Sequence, residues 1–333
     1  LIFETSYNAT IGAHLVSGLL RMNQVPFSAF QRYGSTVFSS NINSAAAIAA
    51  GVPKPYPSFN GSVAQALRPY PQYLNINTQS GHGDKSGHSS YHAWLARLEK
   101  RLSAGFLFQG SYVLSKLITD SDSYMGDNSA IDHYNRRLEK SIGQYDLPPN
   151  LKASYVYELP AGKGRKWLQS GVASVILGGW RIGAFHLYTS GSPVELTNGL
   201  NFGGIIFNGR EAATVTTHEG WTTNLDNPDW KGNDRFFQPR SFFGPQPTDR
   251  LGNTTRQNPK ARTFPNFSEN YSLAKSFHIS EHKRIDFRWE AFNMFNRSRF
   301  DTGSRNIDDP NLGRVLTTIN DPRRMQFALK FYF

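Results

Sequence analysis

Residues 324–333 read Arg-Met-Gln-Phe-Ala-Leu-Lys-Phe-Tyr-Phe, and the reading of this stretch decides the fold. Met325, Phe327, Leu329, Phe331 and Phe333 are large and apolar, while Arg324, Gln326, Ala328, Lys330 and Tyr332 fall between them. A period of two makes a β-strand with one apolar face and one mostly polar face. About ten residues also suffice for a tilted strand to cross a bilayer, and apolar-out, polar-in alternation is the pattern of a transmembrane barrel. A soluble sandwich strand alternates too, so the rest of the chain must decide. The position of the stretch, closing the sequence on an aromatic residue, favours the membrane.

Working outward, 333 residues allow one large domain or two ordinary ones. The 29 Gly, 18 Pro and 14% aromatic residues favour strands and turns over a helical bundle. A mean hydropathy of -0.48 and the lack of a long uncharged apolar run exclude membrane helices, which need about 20 such residues, but not a barrel. With no cysteine, neither a disulfide framework nor a thiolate metal site is possible. A net charge of +11 raises nucleic acid as a partner. Yet the Lys and Arg are scattered among aromatics with no dense basic arm, so no nucleic-acid role is expected; a pore wall or anionic lipid suits them better. The chain starts at Leu1 without Met or a leader pattern, and Leu1 reads as lying inside a strand, so a piece of a longer protein is expected.

Eight strands are expected along the chain. The first ends within residues 1–8, and residues 9–72 read as a long irregular connection with a short helix at Ala45 to Ala50. After an extended piece around Tyr73 to Thr78, the second strand runs from about Ser90 to Lys100, with Trp94, Ala96 and Leu98 as its apolar face. A short turn leads to the third, where Phe106, Phe108, Gly110, Tyr112 and Leu114 alternate with polar and small residues. The fourth is Leu151 to Leu159, ended by Pro160. A basic link and a short helix near Trp167 to Leu177 precede the fifth, Trp180 to Ser190. Residues 191–266 are poorly patterned. The sixth, Glu269 to Ser280, groups Tyr271, Leu273, Phe277 and Ile279, with Lys275 an exception. The seventh, Arg284 to Phe295, slips phase beyond Ala291, which a bulge or an aromatic girdle explains. The opening stretch is the eighth, paired with the seventh.

The links between these strands alternate strictly, long after odd-numbered strands and shorter after even-numbered ones. An up-and-down barrel with short periplasmic turns and long extracellular loops requires this parity, whereas Greek-key connections do not. The expected fold is therefore all-β: an antiparallel up-and-down transmembrane β-barrel segment with long extracellular loops.

Several stretches carry a family resemblance. They are Tyr91-His92-Ala93 with residues 97–101, residues 111–116, residues 153–160, Gly178-Gly179-Trp180, Ser190-Gly191-Ser192-Pro193, residues 290–296 and residues 325–333. In order and spacing the chain resembles the carboxyl-terminal barrel of TonB-dependent outer-membrane receptors, especially the Oar-like group with a carboxypeptidase-regulatory-like amino-terminal domain. The resemblance implies a barrel of about 22 strands with a plug. This chain shows about eight strands and no plug, TonB box or signal peptide, so residues 1–333 are expected to be the last third of such a barrel. It implies a Gram-negative outer-membrane location with a periplasmic carboxyl end. The partners implied are outer-membrane lipid, the barrel-assembly machinery, TonB through the missing part, and a carbohydrate or peptide ligand. It also implies that Met325, Phe327, Leu329, Phe331 and Phe333 are the signal read by the assembly machinery.

Asp286, Arg288, Glu290 and Lys330 are expected to face the lumen, as are Lys116 and Glu158. Trp94, Tyr112, Tyr155, Trp180, Trp289 and Phe292 are expected to anchor strands at the bilayer interface, core packing being the alternative. Trp221, Trp230, Phe236 and Phe237, with Phe242 and Phe243, are loop candidates for ligand contact; packing of the loop on itself is the competing reading. Gly162-Lys163-Gly164-Arg165-Lys166 lacks the phosphate-loop pattern and reads as a polar turn. His82, Asp84, His88 and His92 have metal-ligand chemistry but sit in a loop-like setting, so no metal or other cofactor is expected. No triad or carboxylate pair stands out, and no enzyme activity is expected. Two other functions fit the pattern: a complete eight-stranded outer-membrane anchor or adhesin, and a soluble secreted β-sandwich that binds carbohydrate.

Overall fold

The alternation of the terminal stretch survives folding: Arg324–Tyr332 is extended and pairs antiparallel with Arg284–Phe292, setting Phe327 opposite Trp289 and Lys330 opposite Asp286. The computed structural model describes residues 1–17, 21–74, 76, 84–121, 130–197, 203–207, 209–210, 212–215, 243 and 250–333. In chain order the elements are β1 (Ile2–Leu15), α1 (Phe27–Phe38), α2 (Ala45–Ala49), α3 (Val63–Ala66), β2 (Gly87–Ser103) and β3 (Phe106–Thr119). A 3-10 turn at Arg136–Glu139, β4 (Ser141–Ile142), β5 (Asn150–Glu158), α4 (Gly171–Leu177), β6 (Trp180–Thr189), β7 (Pro193–Val194) and α5 (Gly203–Ile206) follow. The last are β8 (Asn258–Arg262), β9 (Asn266–His278), β10 (Arg284–Phe292) and β11 (Arg324–Tyr332).

The long strands form one antiparallel meander in the order β1-β2-β3-β5-β6-β9-β10-β11, so all eight expected strands are present and pair in sequence order. β4 pairs with β3, and β7 with β8 makes a separate small sheet. The sheet is not closed: among the described residues β1 pairs only with β2 and β11 only with β10. Link parity holds, with short turns after β2 and β9, a longer link after β5, and long loops after β1, β3, β6 and β10.

Several expectations need correction. The first strand continues past residue 8 to Leu15, because Ala9 and Ile11 keep the period of two across from β2. Residues 9–72 are not largely irregular. α1 escaped a periodicity reading because Gly34, with φ 74° and ψ 164°, breaks its helical phase, a conformation glycine adopts without strain. The helix near Trp167 starts only at Gly171. The phase slip after Ala291 is not a bulge: β10 pairs in unbroken register to Phe292, and the chain then turns through Asn293 and Asn296, both with φ 51°. Phe295, carried back by that turn, packs edge-on against Tyr271. Of the piece around Tyr73 to Thr78, half of the residues lie outside the described ones.

The long loops have hydrophobic cores of their own. Phe30, Phe38, Ile42, Ala47, Phe59 and Val63 pack α1, α2 and α3 together with Ile206 of α5. A second core joins Val194 and Leu196 to Phe243, Ala261, Phe264, Ile307 and Leu312, drawing on the loops after β6 and β10. Among the described residues the largest fully buried apolar side chains, such as Phe38, Ile42, Leu196 and Ile307, lie in the loops rather than on the sheet.

Candidate functional site

Strand register divides the sheet into two faces. One carries Phe3, Tyr7 and Ile11 of β1, Trp94, Ala96 and Leu98 of β2, Phe106, Phe108, Tyr112 and Leu114 of β3, and Leu151, Tyr155 and Tyr157 of β5. It continues through Trp180 and Ile182, Leu273 and Phe277, Ile285, Phe287 and Trp289, and ends on Met325, Phe327, Leu329 and Phe331. Many of these side chains are open to the surroundings, Phe327 at 71% and Leu329 at 72%, and among the described residues no second sheet covers them. A sandwich buries this face between its sheets, so the secreted-sandwich expectation is set aside.

Aromatic residues gather near both ends of this face. At the turn end Trp180 meets Phe287 edge-on at 5.9 Å and Phe106 meets Tyr157 at 6.1 Å. At the loop end His186 touches Tyr155, Tyr188 and Tyr271 at 5.5–6.0 Å, and Phe267 joins Tyr188 at 5.6 Å. Between Trp180 and Tyr188 lie eight steps of about 3.4 Å, which at a tilt of roughly 40° separate the two groups by ~20 Å, close to the height of a barrel's apolar band.

The opposite face is polar. Asp286, Arg288, Glu290 and Lys330 all lie on it, as the alternation requires. Arg288 pairs with Glu290, which also accepts a hydrogen bond from the Gln326 amide, and Arg284 approaches Asp286 at 3.5 Å. A similar network sits at the far side of the sheet, where Arg97 meets Glu99 at 2.9 Å and Glu4 at 3.6 Å. Between them, a groove of about 290 Å³ is lined by Leu107, Ser154, Phe185, Asn270, Arg288 and Glu290, which come from the five neighbouring strands β3, β5, β6, β9 and β10.

Two assignments by residue type fail against register. Phe292 shares the face of Glu290 and Arg288 and lines that groove, so it is not an anchor on the apolar face. Lys116 stands on the side of Tyr112 and Leu114, opposite His92 at the loop end, rather than with the polar set. Glu158 does lie on the polar face and pairs with Arg165 at 2.7 Å. Trp94, Tyr112, Tyr155, Trp180 and Trp289 hold the apolar face. Lys275, the exception there, is only 5% exposed; its ammonium donates to the carbonyls of Val175 and Ile176 and lies over the Phe277 ring.

Beyond the sheet, buried ion pairs tie the long loops together. Glu139, fully buried, accepts from Arg256 at 2.6 and 3.0 Å and from the Ile131 backbone N–H at 2.6 Å. Asp146 pairs with Arg262 at 2.6 Å, so two ion pairs connect the loop after β3 to the segment around β8. Gln24 donates to Asp132 at 2.7 Å and accepts from the His133 backbone N–H, joining the loop after β1 to the same place. Burial holds the His133 imidazole below its ordinary value of 6.5, partly opposed by Asp132 and Asp84. It also raises the Tyr134 phenol, whose O–H donates to the Gln24 carbonyl. Sequence reasoning missed the pairs Glu139–Arg256, Asp146–Arg262 and Gln24–Asp132 because the partners are more than a hundred residues apart.

Trp221, Trp230, Phe236, Phe237 and Phe242 lie outside the described residues, as does His82. Phe243 is buried in the second loop core. Asp84 bonds Ser17 and Ser86, the His88 ring faces Asp120 at 3.6 Å, and His92 meets the Tyr7 hydroxyl at 2.6 Å, so these side chains do not converge. Phe331 stacks on Phe333 at 5.8 Å beyond the end of β11.

Compared with known proteins, residues 1–326 match the family described as Outer membrane beta barrel domain. No curated protein and no solved structure matches the chain. With strand alternation, link parity and an uncovered apolar face pointing the same way, the match means that this chain belongs to the outer membrane beta barrel domain family and folds as barrel strands of the outer membrane.

Proposed function

We propose that the chain is the carboxyl-terminal part of the barrel of a TonB-dependent receptor of the Oar-like type, and that it supplies barrel wall and ligand-facing outer loops. The observation that carries this reading is the open, eight-stranded sheet with long, self-packed loops at one end. Edge strands in a membrane need partners, because hydrocarbon offers their backbone groups none. Further strands between β11 and β1 satisfy both edges and widen the ring around a lumen, which Asp286, Arg288, Glu290 and Lys330 then line. The apolar face contacts outer-membrane lipid, and the short turns and Phe333 lie in the periplasm. In this role the protein carries a ligand, a carbohydrate or peptide held by the loop cap, rather than transforming it. The terminal residues Met325, Phe327, Leu329, Phe331 and Phe333 present the apolar edge that the assembly machinery takes up.

The test uses cells producing the full-length protein, given a labelled mixture of oligosaccharides and oligopeptides. Collapse of the inner-membrane proton gradient is expected to stop uptake and leave surface binding intact. Uptake that survives the collapse, or binding with no uptake under any condition, sinks the energised-receptor reading and favours an anchor or adhesin. Orientation is read separately by introducing one cysteine at Ala104 in the β2–β3 turn and another at Ser58 in the first loop, into a chain that has none of its own. A membrane-impermeant maleimide should label only the loop position in intact cells; labelling of the turn overturns the orientation.

A further inference from the structure

The link between β5 and β6 holds more than a turn needs. After the basic run Gly162-Lys163-Gly164-Arg165-Lys166 come Trp167, Leu168 and α4, whose sequence is Gly-Val-Ala-Ser-Val-Ile-Leu. Val172, Val175 and Ile176 fall at i, i+3 and i+4 and so make one stripe. They are 74%, 65% and 57% exposed, and no side chain of the helix is buried. A helix this short is marginal in water by itself, and a contiguous exposed apolar patch marks a contact surface.

The helix is nonetheless held in a definite place. Lys275 donates to the carbonyls of Val175 and Ile176, a cation at a helix C-terminus, and the Trp180 indole N–H donates to the Ile176 carbonyl at 3.0 Å. Gly178 N–H closes the helix onto Ser174 at 3.1 Å, and Gly179 N–H bonds the Ala161 carbonyl at 3.0 Å. A Cβ at Gly178 would sit 2.4 Å from both Gly162 Cα and the Ser174 carbonyl oxygen, so the close approach needs glycine. Lys275 and Trp180 both belong to the apolar face, beside Phe277 and Phe287. The carboxyl end of α4 therefore lies on the bilayer side of the sheet at its short-turn rim, and its stripe continues the apolar band.

We propose that residues 163–177 form an interfacial anchor. α4 lies in the boundary of the leaflet at the short-turn rim with Val172, Val175 and Ile176 among acyl chains, and Lys163 and Lys166 meet the phosphates of anionic phospholipid. Arg165 is already committed to Glu158. Lipid is the occupant because the stripe is continuous with the lipid-facing band and flanked by cations, the composition of a helix that lies in a membrane surface. The proposal rests on the barrel assignment and is separable from it by a control on β3.

The experiment places one nitroxide-labelled cysteine at a time within residues 1–333, which hold none, of the full-length protein with any cysteine elsewhere replaced by serine, folded into phosphatidylethanolamine vesicles with or without phosphatidylglycerol. Val175→Cys and Ile176→Cys are expected to collide with oxygen in preference to a water-soluble nickel chelate, as does Leu114→Cys in the band, with Lys163→Cys showing the reverse. Phosphatidylglycerol should deepen the label at 176, and Lys163→Gln with Lys166→Gln should abolish that shift. Nickel access at 175 and 176 with lipid access at 114 overturns the anchor and leaves the barrel standing; nickel access at all three overturns both. Access by neither probe at 175 and 176 signals a protein cover and also overturns the anchor. A label at 176 indifferent to phosphatidylglycerol overturns the headgroup contact.

Discussion

Replacing Glu139 by Gln is expected to open the outer loops while leaving the sheet folded. Glu139 is fully buried, Arg256 is 5% exposed, and the guanidinium makes two bonds to the same carboxylate oxygen. Gln keeps the shape and an oxygen for the Ile131 amide but withdraws the carboxylate charge that faces the buried Arg256 guanidinium. Removing one partner of such a pair costs about 3–5 kcal/mol, which raises the open population of these loops roughly 10²–10⁴-fold. The cost falls on the loops because the sheet ladder does not involve either residue. Amide hydrogen exchange of the full-length protein folded in detergent micelles reads the effect: exchange near Ile131 and at 254–257 should accelerate by that factor, with β5, β6 and β9 unchanged. Adding Arg256→Met removes the other half of the pair and should restore most of the protection, since an apolar replacement of a buried ion pair is often neutral or better. Unchanged loop exchange in Glu139→Gln, or a double variant as open as the single one, refutes the reasoning.

Three further outcomes follow from the same geometry. Deleting Phe333, which stacks on Phe331 past the last strand, should lower the amount of folded, heat-modifiable protein in outer-membrane fractions while ligand binding per folded molecule stays constant; normal assembly with lost binding contradicts the signal role. Leu273→Arg, on the apolar face between the two aromatic groups, should destabilise the folded protein in urea titrations by about 2–4 kcal/mol, whereas Arg288→Glu on the polar face should change ion selectivity in bilayer recordings with little loss of stability. His133 resists protonation when folded, so above pH 6.5 it is neutral in both states and carries no penalty. As pH falls below 6.5 the unfolded loop takes up a proton that the folded loop refuses, and stability declines until the lowered folded-state value is passed. Limited proteolysis of the loops between pH 7.5 and 5 should accelerate, and His133→Gln should flatten its own share of that slope.

The strands were legible in the sequence because a membrane enforces alternation from both sides of a sheet: lipid selects apolar residues on one face and water selects polar ones on the other. Where that pressure fades, the reading fails. Lys116 stands at the loop end of β3, where a charge on the outer face meets no hydrocarbon, and Phe292 closes β10 on the polar side of its groove. Residue type predicts the face only inside the band; at strand ends register decides. The loops were illegible for another reason. Their order rests on Phe30 against Phe38 across the break at Gly34, on Glu139 with Arg256, and on Asp146 with Arg262, contacts that leave no local period. Lys275 belongs to the same class, an apparent error in a strand pattern until its two carbonyl partners a hundred residues earlier are known.

The ion pairs that join the loop after β3 to the segment around β8 set the unit in which this protein can be re-engineered. A graft replacing 121–149 alone deletes Glu139 and Asp146 and strands Arg256 and Arg262 against a foreign surface. A graft replacing 250–262 alone makes the reciprocal error with two buried carboxylates. Loop libraries for new specificities should therefore exchange both segments as one cassette, and natural relatives are expected to show these four positions changing together rather than singly.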